Sequence, residues 1–148
     1  MKKVLIIIIV ILIGIQFITI DKTNPSADMG KDFITLTSPP NKLGVILKSS
    51  CYDCHSNHTK YPWYSNVAPF SWIIKEHVNN GRKYLNFSIW SDYKEKKKDH
   101  KLEECIEIVK SGEMPMKGYV MFHEEAEITQ DQKMALLNWF GELRDSLK

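Results

Sequence analysis

Residues Cys51-Tyr52-Asp53-Cys54-His55 place two thiols three positions apart, with an imidazole directly after the second. On a turn of helix, side chains at i and i+3 project from one face. Thiols so placed reach the two vinyl groups on one side of a porphyrin, and an imidazole at the next position reaches its iron. Cys-x-x-Cys-His is the attachment spacing of c-type haem. Chance produces it roughly 0.002 times in a chain with these Cys and His frequencies, so the signal is specific. The expected cofactor is one covalent haem c, held by Cys51, Cys54 and His55. Two other chemistries use the same residues. Zinc would draw on Cys51, Cys54, His55 and His58, but four ligands within eight residues lack the second knuckle of such sites. A redox dithiol needs a strand-to-helix setting that the following residues do not provide. A plain Cys51–Cys54 disulfide completes the alternatives.

An iron held by His55 leaves a second axial position. Met114, in Gly112-Glu113-Met114-Pro115, offers a thioether in a loop that the proline stiffens. Met/His ligation raises the reduction potential and suits electron transfer. Met116 and His77 are the competing ligands, and an open site is the remaining option. Met121 is further off. His77, one turn after Ile73, is expected as a packed, hydrogen-bonded side chain. His58, His100 and His123 are expected in solvent or on the proximal side. Arg82 and Lys83 are candidates for neutralising propionates, and Trp63, Tyr64, Phe70, Trp72, Trp90 and Trp139 for lining a macrocycle. Cys105 falls on an apolar helical stripe and is expected to be a buried free thiol.

Four helical stretches must position these groups. The first runs from about Lys42 to Ser50 and leads into Cys51. The second starts at Ser71 as N-cap and ends before Gly81 as C-cap. The third, about Asp99 to Ser111, carries Leu102, Cys105, Ile106 and Val109 at i, i+3, i+4, i+7 and stops at Gly112. The fourth opens with Thr129 and Gln132 as a capping box, with Met134, Leu137 and Phe140 facing inward and Leu136 and Leu143 beside them. No stretch alternates with period two. The expected fold is mainly α with long irregular connections, preceded by an N-terminal anchor or signal helix.

The chain has 148 residues, 20 Lys+Arg and 18 Asp+Glu, and 43% hydrophobic residues. The apolar residues are unevenly spread. Val4–Ile20 is a nearly unbroken apolar run behind Lys2 and Lys3. That is the charged-then-apolar order of an export signal, without small residues for cleavage at its end. The expectation is a signal anchor over residues 1–20 with Lys2 and Lys3 held inside, which puts the body outside the inner membrane, or releases it to the periplasm if cleaved. Residues 21–40, with Asn24-Pro25, Gly30 and Pro39-Pro40, read as a tether, and 41–148 as the haem-binding domain. Without Lys2 and Lys3 the body carries 18 positive and 18 negative side chains. Such balance excludes a strongly basic nucleic-acid binder. Three cysteines are too few for a disulfide scaffold.

With these residues in view the chain resembles the bacterial haem-binding domain family of exported c-type cytochrome-like proteins. The resemblance rests on Cys51-Tyr-Asp-Cys-His-Ser-Asn-His-Thr-Lys-Tyr-Pro-Trp-Tyr64, Ala68-Pro69, His77-Val78, Gly81-Arg82, Asn86-Phe87-Ser88, Trp90, Gly112-Glu113-Met114-Pro115, Tyr119 and Trp139. It covers roughly residues 43–143 and implies a single covalent haem in a cytochrome-c-like helical fold, with no assigned reaction. The expected function is an electron carrier, not an enzyme, working with an unidentified redox protein. The lysines between Lys94 and Lys101 are a possible docking patch for an acidic one, against the simpler reading of a solvated segment. A haem sensor or small peroxide- or gas-reactive protein with His77 beside an open site is the alternative. A zinc module without haem is the other.

Overall fold

A computed structural model describes residues 1–148. It contains eight α-helices joined by short 3-10 turns, and no strand. α1 (Lys2–Gly14) holds most of the apolar run, and its side chains from Val4 to Ile13 are exposed on every side. It is shorter than the expected anchor. Helical bonding gives way to a 3-10 turn at Ile15–Phe17, where the chain docks on the body. There the Gln16 side-chain amide donates to the Ala68 carbonyl and accepts from the Ala68 N–H, both at 3.0 Å. Thirteen helical residues span about 20 Å, and no helix is long and apolar enough to cross a membrane.

The stretch expected to be a tether is part of the domain. After a 3-10 turn at Met29–Lys31, Asp32 caps α2 (Phe33–Thr37) by accepting from the N–H groups of Ile34 and Thr35. Phe33 is fully buried. Its ring lies 4.9 Å from Phe87, 4.7 Å from Trp90 and 5.6 Å from Trp139, centroid to centroid. Polar and proline-rich flanks hid a single apolar residue that fills the core centre. Asp32 also accepts from the Tyr52 hydroxyl at 3.0 Å.

α3 (Asn41–Ser50) buries Leu43, Ile46 and Leu47 and runs into α4 (Tyr52–His55), the turn that carries the motif. α5 (Phe70–Tyr84) packs on α4. It begins at Phe70, without Ser71 as cap, and runs through Gly81 to Tyr84, three residues beyond the expected stop. Gly81 sits inside the helix, buried, for a packing reason given below. α6 (Glu95–Ser111) starts earlier than periodicity indicated, taking the charged run Lys94–Lys101 into its first turns. Gly112 ends it at φ 80°, a left-handed conformation that glycine adopts without a Cβ clash. α7 (Lys117–Val120) is a single turn. α8 (Gln130–Asp145) carries the Thr129/Gln132 capping box as expected, and it packs along α6. Its buried residues are Leu136, Trp139 and Phe140, while Met134 is exposed. Of the expected inward residues, Leu136 and Phe140 are buried and Leu137 and Leu143 pack against the core, so Met134 alone departs. Arg144 ties α8 to α6 by ion pairs to Asp99 (2.6 Å) and Glu103 (2.7 Å), both partly solvated and of small energetic weight.

Replacing Phe33 by Ala removes an aromatic ring from the closed centre, and about 3–5 kcal/mol of stability should be lost in urea unfolding. Leu36→Ala, on the exposed side of the same helix, should change stability by less than about 0.5 kcal/mol. Equal effects from the two would show that α2 is not part of the core.

Candidate haem site

The motif forms one turn of helix hung from the end of α3. The N–H groups of Cys54 and His55 both donate to the Cys51 carbonyl, at 3.2 and 2.9 Å. Cys51 and Cys54 therefore share a face, as their spacing predicted. All three cysteines are free thiols. Burial pushes the Cys51 thiol up to about 12, Cys54 to about 11 and Cys105 to about 12, so each stays protonated at neutral pH.

His55 is oriented from behind. Its Nδ1 lies 3.1 Å from the Leu85 carbonyl, which fixes the proton on that nitrogen and leaves Nε2 free to coordinate. Burial holds the imidazole below its ordinary value, in the neutral form that ligation requires. The Phe87 ring meets it edge-on at 6.3 Å.

The next helix holds the turn in place through two consecutive residues. A Cβ on Gly81 would lie 2.5 Å from the Cys54 carbonyl oxygen, so α5 reaches the motif backbone only because residue 81 has no side chain. Arg82 donates from Nε to the Ser56 carbonyl (2.8 Å), and from Nη2 to the Asn24 side-chain oxygen (2.6 Å) and the Thr59 hydroxyl (2.8 Å). It is thus a loop clamp, where the sequence offered it as a propionate partner. Lys83 remains exposed. The loop behind His55 is buried and closed by polar bonds. Ser56 donates to the Tyr52 carbonyl, the Asn57 N–H donates to the Ser88 hydroxyl, and Asn86 donates to the Asn57 side-chain oxygen. The motif's own Asp53 accepts from the Lys60 N–H and from the Tyr119 hydroxyl at 2.8 Å.

Three cavities sharing these residues surround the turn. The central one, ≈ 240 Å³, is lined by Cys51, Cys54, His55, Met114 and Met116, with His77 at its edge. A second, ≈ 480 Å³, continues from Cys54 past Tyr64, Phe70, Ile73 and Phe122. A third, ≈ 180 Å³, continues from Cys51 and His55 past Phe87, Cys105 and Phe140. Together they fall in the ~300–1,000 Å³ range of small-ligand and cofactor sites. A thiol pair, a preset imidazole and two thioethers around apolar space form a donor set that fits a haem.

Met114 borders the central and third cavities, each with Cys51 and His55; Met116 borders the central and large ones. Met114 packs against the hydrophobic core, at the end of a loop whose N–H groups at 113 and 114 both donate to the Ile108 carbonyl. Met121 is exposed. His77 borders two cavities but is exposed, not packed. His58 is exposed, and His100 lies on the surface of α6 beside Glu103 and Glu104. No three His, Cys, Asp or Glu side chains converge as metal ligands, so the four-ligand zinc arrangement does not form in this structure. Among the aromatics, Trp90 and Trp139 are buried, whereas Trp63 and Phe70 are exposed at the large cavity. His123 is the clearest departure, since it turns inward against Tyr64 and Tyr119. Gly81 gave an ambiguous signal, because a glycine near the end of a helical pattern serves either as a C-cap or in packing. Arg82 and the asparagine pair had no local signal.

Gly81→Ala should lower the unfolding midpoint by the equivalent of about 1–3 kcal/mol, because the new methyl meets rigid backbone. Gly141→Ala, where nothing lies within 4 Å of the added methyl, serves as the control and should be neutral or slightly stabilising.

Comparison with curated proteins and with solved structures finds no match. The family model described as "Haem-binding domain" matches residues 10–142, nearly the whole chain. The chain belongs to the haem-binding domain family.

Proposed function

We propose that this protein is an exported c-type cytochrome that carries one covalently attached haem and passes single electrons to a partner protein. The observation that carries the reading is the preset His55, its Nδ1 committed to Leu85 and its other nitrogen free beside two thiols on one face. Cys51 and Cys54 would form the two thioethers, His55 would hold the iron from the proximal side, and Met114 would take the distal position. Bound haem supplies a one-electron couple at its iron. The chain's residues do the rest. The Leu85 carbonyl fixes the imidazole plane, Gly81 and Arg82 fix the turn, and the apolar cavity walls keep water away, which favours little reorganisation during electron transfer.

Met114 is preferred to Met116 because it shares two cavities with His55 and Cys51 and is anchored at the end of α6. We infer that the domain works on the outer side of the inner membrane, attached through its apolar N-terminal stretch or released by cleavage, although α1 as it stands is too short to cross the membrane. Support comes from Lys2 and Lys3 before an apolar helix exposed on all sides. The sensor or peroxide-reactive reading keeps one supporting observation, His77 at the edge of two cavities.

Protein made with haem-attachment machinery should give a pyridine haemochrome spectrum for two thioethers and one haem per chain. Cys51→Ala and Cys54→Ala should each shift it toward a single thioether. The ferric protein should show a thioether-to-iron charge-transfer band that Met114→Ala removes and Met116→Ala leaves in place; the reverse pattern would reassign the ligand. Prompt carbon monoxide binding by the reduced wild type would favour the open-site reading instead.

A further inference from the structure

The apolar N-terminal run ends docked on the body, with no slack between the two. Gln16 holds the Ala68 backbone through both polar atoms of its amide, and the Trp72 indole N–H donates to the Ile18 carbonyl at 3.1 Å. A little further on, Lys22 donates to the Asn66 side-chain oxygen. The base of α1 is therefore fixed at the level of residues 66–72, and whatever receives α1 lies against that part of the surface. α1 has no polar face, since Val4 to Ile13 are apolar and exposed all round. A helix of that kind belongs in hydrocarbon, not in water.

The surface beside the docking point is apolar as well. Trp63 is 77% exposed, Phe70 53% and Ile73 48%, and Val67 is exposed next to Ala68. Met121 and Phe122 are exposed on another wall of the large cavity. All six side chains line that one cavity, so they form a contiguous rim and are not apolar residues scattered singly. Residues 60–75 include Lys60 and Lys75 and no acidic side chain. Exposed aromatic rings accompanied by lysines suit the headgroup layer of a bilayer. The rings sit at that level, and anionic lipid attracts the cations.

We propose that this rim is a membrane-contacting face. The phospholipid bilayer that receives α1 also receives Trp63, Phe70 and Ile73, and the mouth of the large cavity opens onto the headgroup layer. α1 supplies about 20 Å of apolar helix from one side of the bilayer, and the bonds of Gln16 and Trp72 then leave the body a single orientation. The proposal rests on reading the N-terminal stretch as a membrane attachment. It adds a fixed face to that attachment, where a tether would leave the body free to turn.

The test uses the haem-loaded full chain, with its N-terminal run retained, in vesicles of phosphatidylethanolamine and phosphatidylglycerol. A small share of the lipid carries a photoactivatable diazirine close to the glycerol, and cross-linked tryptic peptides are read by mass spectrometry. Residues 4–22 report on α1 and residues 61–75 on the proposed face. Residues 43–48 and 134–144, which contain the exposed Val45 and Met134, are the controls. Peptide 61–75 should be labelled several-fold above both controls. Gln16→Ala combined with Trp72→Phe removes the docking bonds, and should lower the label on 61–75 several-fold relative to that on 4–22. Circular dichroism and haem content establish that this variant is folded, and the wild-type comparison stands on its own should it not fold. Label on 4–22 with 61–75 at the control level overturns the proposal and leaves the attachment standing. Absence of label on 4–22 overturns the attachment and the proposal with it. Cross-links from 61–75 to a second copy of the chain, in place of lipid, overturn the proposal in favour of a dimer face. An unchanged ratio in the double variant overturns the orienting role of Gln16 and Trp72.

Discussion

The contact between the backbone of α5 and the Cys54 carbonyl governs the site. Glycine at 81 lets two stretches of main chain meet at a distance that any side chain would forbid. Once they meet, the neighbouring residues fall into place in register. Arg82 reaches the carbonyl directly behind His55, and the carbonyl of Leu85 reaches the ring of His55 itself. A single helix end therefore supplies the packing, the clamp and the orienting bond. The cysteines and histidine carry the chemistry of attachment, but their mutual geometry is imposed from residues about thirty positions later.

Behind the turn, the protein buries polar side chains in numbers a thin core would not tolerate unpaired. Ser56, Asn57, Asn86 and Ser88 are all buried and bonded to one another or to backbone. Satisfied networks of this kind specify one conformation, because any shift leaves a desolvated group without a partner. The apolar side of the balance comes from a cluster of aromatic rings around Phe33, with Tyr52 stacked on Phe87 at 5.1 Å. Tyr52 sits between the two cysteines in sequence, so the same short turn presents thiols to the cavity and a ring to the core.

What the sequence disclosed follows the range of the interactions involved. Local rules read well. The helical turn at Cys51–His55, the stop at Gly112 and the capping box at Thr129 and Gln132 each depend on residues within a few positions. Non-local contacts did not read. Phe33 looked like part of a polar spacer because its partners are 54, 57 and 106 residues away. Gly81 looked like a helix end because glycine has that role more often than it has a packing one. Met134 looked inward because it falls at helical spacing with Leu137, but it precedes the buried part of α8 and stays exposed. His123 lies among acidic residues in the chain, and only the fold carries it to Tyr64.

The burial of Phe33 also bears on the order in which the chain is completed. Its ring leaves the ribosome more than a hundred residues before Trp139, and Trp139 is one of the walls that enclose it. The core beside the two thiols therefore cannot close during synthesis of the motif or of the residues soon after it. Closure waits for the last helix. Until that helix packs, the core beside Cys51 and Cys54 lacks one of its walls, so the last residues of the domain decide whether the motif at its middle has a rigid support.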